Sequence, residues 1–219
     1  DGETGLMHDY KKISEVIKTS NAHFLVDATQ AIGKFKIDFS YLELVSFTPH
    51  KFGGIIGSGC LIKRKNTILT PLFHGGESDS IYRSGSVPLG IIASIEKALE
   101  LAYSSLEENY IKVSKINEYI LNELKQIKKI KINSFSNPYI INISIDGILG
   151  RKSVDFLNNH DICVSQKSAC SIKNTPSKII MAIYKDKKRA SSSFRISLSE
   201  LVTIEEAKQL IKVIKELIK

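Results

Sequence analysis

The spacing of apolar residues changes along this chain from helical to strand-like and back. Ile13, Val16 and Ile17, behind a candidate cap at Asp9, predict a helix over 9–20. A short apolar run then leads into polar residues at Asp27 and Gln30, as a buried strand ending at a loop would. Further strands are expected at 44–48 and 59–64. After Pro88 two long amphipathic stretches, about 89–106 and 108–129, read as helices. No Gly or Pro falls between residues 91 and 137, so this helical pair is expected to link two lobes.

The second lobe reads as α+β. Strands are expected at 139–145, 162–165 and 194–198, and helices at 153–159 and 177–184. Thr203 and Glu206 form a capping-box pattern ahead of a last helix, whose apolar stripe is Ile204, Ala207, Leu210, Ile211 and Ile214. The domain expectation is therefore 1–108 and 109–219, with linking helices over about 89–129.

Composition narrows the picture. Of 219 residues, 42% are hydrophobic and 25% charged, the balance of an ordinary globular protein. No apolar run reaches the roughly 20 residues needed to span a bilayer, so no membrane role is expected. The net charge of +8 comes from scattered lysines without aromatic interleaving or a nucleic-acid motif, so no nucleic-acid partner is expected. Cys60, Cys163 and Cys170 are an odd number with no CxxC pair, which argues against a disulfide framework or a metal cluster and suits a reducing cytoplasm. Cys60 reads as a small core residue, and Cys163, inside an apolar strand, as a structural one.

Residues 46–54, Ser-Phe-Thr-Pro-His-Lys-Phe-Gly-Gly, place Lys51 where a strand gives way to a glycine-rich loop. Ligand chemistry in open α/β sheets gathers at that kind of junction. A lysine there can form a Schiff base with a carbonyl cofactor, or it can be one more surface charge. Asp27 and Gln30 sit at a second such junction, where Asp27 could equally be a cap or turn residue.

Several signals then fall in one order. They are Glu3-Thr-Gly, Val26 through Gln30, the 46–54 stretch, His74-Gly-Gly, Arg83 through Ser86, Ser168-Ala-Cys170, and Phe194 through Leu198. Together they resemble the pyridoxal-phosphate-dependent cysteine desulfurases of the iron–sulfur assembly type, relatives of fold-type-I aminotransferases. The resemblance implies an α/β fold: part of the large cofactor-binding domain, a mostly parallel sheet with flanking helices, followed by a smaller α+β domain.

The resemblance also assigns roles. Lys51 would hold pyridoxal 5'-phosphate as a Schiff base and then move the substrate Cα proton. Asp27 would keep the pyridine nitrogen protonated, and Gln30 would bond the ring's phenolic oxygen. Thr48 and His50 would hold the phosphate, with Ser86 reaching it from the other subunit of a homodimer. Thr48 and Ser86 could instead be loop hydroxyls satisfying backbone groups. Arg195 would clamp the carboxylate of L-cysteine. Cys170 would attack the substrate sulfur, leaving a persulfide for a sulfur-acceptor protein and yielding L-alanine. Lys167 and Lys173 flank it and would favour its thiolate.

Three positions depart from the family pattern. Gly2 stands where an asparagine is usual, Gln166-Lys167 where glycine and serine are common, and Gly53-Gly54 in place of an aromatic-Gly-Pro continuation. Asp1 begins well inside the family's large domain, so the chain reads as a carboxyl-terminal piece of a longer protein. Two alternatives stay open: a related pyridoxal-phosphate aminotransferase or lyase in which Cys170 is incidental, and a catalytically incomplete piece that docks sulfur-transfer partners.

Overall fold

Two units make up the structure, a computed structural model that describes residues 1–76, 81–167 and 175–219. One is Asp9–Leu106; the other joins Asp1–His8 to Glu107–Lys219. Residues 1–8, assigned to the first domain on sequence, are therefore grouped with the second unit.

In the first unit, helix α1 (Tyr10–Ile17) starts where the Asp9 carboxylate accepts the Lys12 N–H. Strands β1 (Leu25–Asp27), β2 (Leu44–Phe47) and β3 (Cys60–Lys63) follow, then helix α2 (Leu89–Ser104). The sheet order is β1-β2-β3, with β1 parallel and β3 antiparallel to β2. The central strand is the most apolar, and Leu44, Val45 and Phe47 are buried in it. Ala28, Ile32 and Leu42 complete this core, and Phe52, Cys60 and Leu99 pack against it. Burial pushes the Cys60 thiol up, as befits a core cysteine. Register pairs Asp27 with Ser46, so the carboxyl ends of β1 and β2 emerge side by side.

The second unit contains α3 (Leu106–Lys125, whose first residue closes the other unit), β4 (Ile130–Ile132), β5 (Ile140–Ile145), α4 (Gly150–Asn158), α5 (Lys178–Tyr184), α6 (Lys187–Ser192), β6 (Ser193–Ser197) and α7 (Ile204–Ile218). Its sheet, β4-β5-β6, is antiparallel throughout, and the middle strand is buried at every residue. Helices α3 and α7 bury Val113, Ile120, Leu124, Leu210, Ile211 and Ile214. The capping box is present: the Thr203 hydroxyl accepts the Glu206 N–H, and Glu206 Oε2 accepts the Thr203 N–H.

Two local expectations are corrected. The strand expected at 162–165 is a single bridge, Ser165 to Arg195. Its start is drawn back to α4: Asp161 is left-handed (φ 60°) and the Ile162 N–H bonds Leu157 O, so too few residues remain to extend. Cys163 is consequently exposed, with its thiol 3.7 Å from Asn158 Oδ1, and is no buried structural cysteine. Strand β4 and helix α6 were not anticipated from the residue pattern.

Candidate functional site

Lys51 ends a single 3-10 turn, Pro49–Lys51, directly after β2. The turn closes because Pro49 O accepts two N–H groups, from Phe52 and Gly54, each at 3.0 Å. Glycine is required at 54, where an added Cβ would lie 2.5 Å from Pro49 Cβ. Gly53 has φ +95°, a region L side chains rarely adopt, so the Gly-Gly pair suits this backbone. Phe52 pins the turn from below, its ring 6.0 Å from that of Phe47, and an added Cβ at Gly33 would strike it at 2.6 Å. The backbone under Lys51 is thus fixed on the core while its side chain is exposed.

The neighbouring groups at this end of the sheet are Asp27, Gln30, Thr48 and His50. Asp27 is the last residue of β1; its Oδ1 accepts the Thr29 N–H at 2.9 Å, the bond of a turn residue. Its second oxygen bonds no described residue. Gln30 is half-buried in the turn after β1, and His50 is exposed beside Lys51. Thr48 occupies the cap position of the Pro49–Lys51 turn but makes no capping bond, and its buried Oγ1 has no partner among the described residues. Among the described residues, this hydroxyl satisfies no backbone group. Ser86 is exposed in the loop before α2.

Arg195 belongs to the second unit, paired across the sheet with Asn142 and bridged to Ser165. Its Nη1 donates to Gly2 O at 2.6 Å, and its buried Nε has no partner among the described residues. Beside it Glu3 is 2% exposed, and desolvation raises its carboxyl above the usual range. The Ser177 hydroxyl and the charges of Lys167 and Arg195 pull it back down.

Sequence reasoning missed the polar network that seats this corner. Asn142 Nδ2 donates to Glu3 O at 3.0 Å, and Asn142 Oδ1 accepts from Asn133 Nδ2 at 2.8 Å. Asn133 Oδ1 in turn accepts Arg189 Nε at 2.6 Å. The legible signal was a polar residue, Asn142, in the middle of an otherwise apolar strand. Lys167, read as support for the Cys170 thiolate, is buried and donates its ammonium to the carbonyl and hydroxyl of Thr175, each at 2.8 Å. Cys170 itself, with Ser168, Ala169 and Lys173, lies outside the described residues.

Comparison with known proteins places these features in a lineage. Residues 1–210 match the family described as aminotransferase class-V. A cysteine desulfurase IscS of Buchnera aphidicola from Schizaphis graminum is 30% identical over 97% of this chain and 54% of its own length. The namesake from Methanosarcina thermophila is 30% identical over 100% of this chain and 55% of its own. A NifS-like protein from Rickettsia africae superposes with TM-score 0.88 at 28% identity, covering 98% of this chain and 59% of that one. A cysteine desulfurase from Thermococcus onnurineus (TM-score 0.80, 19% identity) shares the fold. The chain thus spans about half the length of the curated relatives it matches. With a mixed α/β architecture and a family match over nearly its whole length, this chain belongs to the aminotransferase class-V family.

Proposed function

We propose that this chain is the carboxyl-terminal part of a cysteine desulfurase that uses pyridoxal 5'-phosphate to remove sulfur from L-cysteine. The observation that carries the reading is an unsatisfied buried hydroxyl, Thr48 Oγ1, three residues before an exposed amine on a fixed turn. A phosphate oxygen is the kind of partner such a hydroxyl lacks, and an amine is what an aldehyde cofactor needs. The residues therefore fit the group.

Thr48 and His50 would hold the phosphate, Lys51 the aldehyde carbon, Asp27 the pyridine nitrogen and Gln30 the phenolic oxygen. Ser86 would complete the phosphate site from the second subunit of a homodimer. When bound, the cofactor supplies an electron sink for bonds broken at the substrate Cα and Cβ. Lys51, once its amine is free, carries the proton to and from Cα. Arg195 binds the substrate carboxylate with the donors Gly2 leaves free. The Cys170 thiolate attacks the substrate sulfur: an S–S bond forms, the C–S bond breaks, and the carbon skeleton leaves as L-alanine after protonation. The resulting persulfide passes to a sulfur-acceptor protein, in a cytoplasmic setting of iron–sulfur assembly. No helix among the described residues is long and apolar enough to cross a membrane.

The test is alanine release from L-cysteine by the intact protein, with mass spectrometry of the persulfide. Both are expected to vanish in Lys51→Ala, and Cys170→Ala is expected to abolish persulfide and turnover. Turnover that survives Cys170→Ala would make the protein an aminotransferase or lyase instead.

A further inference from the structure

The first unit holds a cavity that the cofactor chemistry does not use. It measures about 580 Å³, within the usual range of small-molecule sites. Its residues flank the amino ends of β1 and β2 and the carboxyl end of β3. His23 and Phe24 precede Leu25, Glu43 precedes Leu44, and Arg64 and Thr67 follow Lys63. Register sets Leu44 against both Leu25 and Lys63, so these segments converge. The end of α1 adds Ile17 and Lys18 to the lining. Asp27 and Lys51 belong to the opposite ends of the same strands.

The charges of the lining do not cancel. Its one carboxylate among the described residues, Glu43, is fully engaged. Oε1 meets His23 Nδ1 at 2.7 Å and accepts the Thr67 hydroxyl at 3.2 Å, while Oε2 accepts the Phe24 N–H at 2.9 Å. The Phe24 N–H, with help from His23 and Thr67, holds this carboxyl below its usual range. Against it stand two cations, Lys18 and Arg64. Arg64 donates to the carbonyls of Leu42 and Ser40, which are neutral. Lys18 lies 5.6 Å from the centre of the Tyr41 ring, a contact that also leaves its charge unopposed. With Nδ1 given to Glu43, the Nε2–H of a protonated His23 is a further donor.

These donors come from three places: the end of α1, the segment before β1 and the loop after β3. Such a set suits an anion with oxygens in several directions, where a planar carboxylate calls for a flat fork. Ile17 and Phe24 give the cavity an apolar wall, which a bare ion would not use.

We propose that this cavity binds the phosphate monoester of a small organic molecule. Lys18, Arg64 and His23 take the phosphate, and the apolar body lies against Ile17 and Phe24. The site is independent of the reading of Lys51.

The test is an NMR titration of the intact protein with phenyl phosphate, following the His23 ring signal, assigned by its loss in His23→Gln. Phosphate bound at the Lys51 end would leave that signal in place, so the two readings fail separately. The signal is expected to shift saturably, and chloride at equal ionic strength to leave it unmoved. Lys18→Met is expected to weaken binding about fivefold, the upper end for an exposed ion pair, and Lys18→Arg to stay within about twofold of the parent. Lys18 is exposed, so neither variant disturbs the core. Inorganic phosphate and benzoate are each expected to bind about fivefold more weakly than phenyl phosphate, one lacking the body and the other the third oxygen. A shift that is absent, unsaturable or reproduced by chloride overturns the proposal, as does unchanged affinity in Lys18→Met. Inorganic phosphate binding as tightly as the ester would overturn the monoester and assign the cavity to free phosphate. Benzoate binding as tightly would overturn the choice of phosphate.

Discussion

Replacing Asn142 by Leu removes the side chain that ties the first residues of the chain to the second unit's sheet. Asn142 is fully buried in β5, and its amide makes two bonds, to Glu3 O and from Asn133 Nδ2. Losing the first strands a carbonyl in the interior, a cost of about 1–3 kcal/mol. The second costs less, about 0.5–1.5 kcal/mol, because Asn133 Nδ2 keeps its 2.9 Å bond to Ser144 Oγ. Leucine is of similar size, so a small apolar gain offsets part of this, leaving a net loss of about 1–4 kcal/mol. Urea denaturation measures the loss directly. Hydrogen exchange locates it, because Phe135 N–H bonds Thr4 O and Asn137 N–H bonds Gly5 O. Both amides are expected to exchange faster in the variant. A loss under about 0.5 kcal/mol, or unchanged exchange at both amides, would show that the network does not anchor residues 1–5.

The remaining predictions bear on separate parts of the chain. Gly54→Ala forces a Cβ against Pro49 and is expected to cost about 1–3 kcal/mol in denaturant, with weaker cofactor retention because the Lys51 turn shifts. Thr203→Ala breaks the capping box of α7 and is expected to cost about 1 kcal/mol, read as a lowered urea midpoint. Glu3 is raised above its ordinary value of 4.5, so its contribution to stability is full below about that pH and is lost as pH rises through the folded value. The difference in unfolding free energy between the parent and Glu3→Gln is therefore expected to fall with rising pH across that window. A difference that is flat or rising there contradicts the burial argument.

The strand ends that carry Asp27 and lead into Lys51 were legible in the sequence because their signals are local. A strand that stops at Asp27 and another that stops before Lys51 can each be read from a few residues, and parallel pairing then sets their ends side by side. The surroundings of Arg195 were legible only in part. Arg195 stood out in an apolar strand, but Gly2, whose carbonyl it bonds, and Glu3, whose charge it feels, lie far away in the chain and meet it only through folding. Helix α6 escaped notice because a run of lysines and serines reads as loop. It forms because Asp186 caps it, accepting the Arg189 N–H, and because Arg189 reaches back to Asn133 and Ile132 O. Strand β4 is three residues long and all half-buried, too short for alternation to show. The exposure of Cys163 follows from one left-handed residue, Asp161, which a non-glycine sequence gives little reason to expect.

The central claim is that the amine on the turn after β2 is the group that holds the cofactor. Borohydride reduction of the cofactor-loaded intact protein, followed by peptide mapping, tests it most directly. The account predicts a pyridoxyl adduct on Lys51 and none in Lys51→Ala. An adduct on another lysine, with Lys51 unmodified, would contradict it.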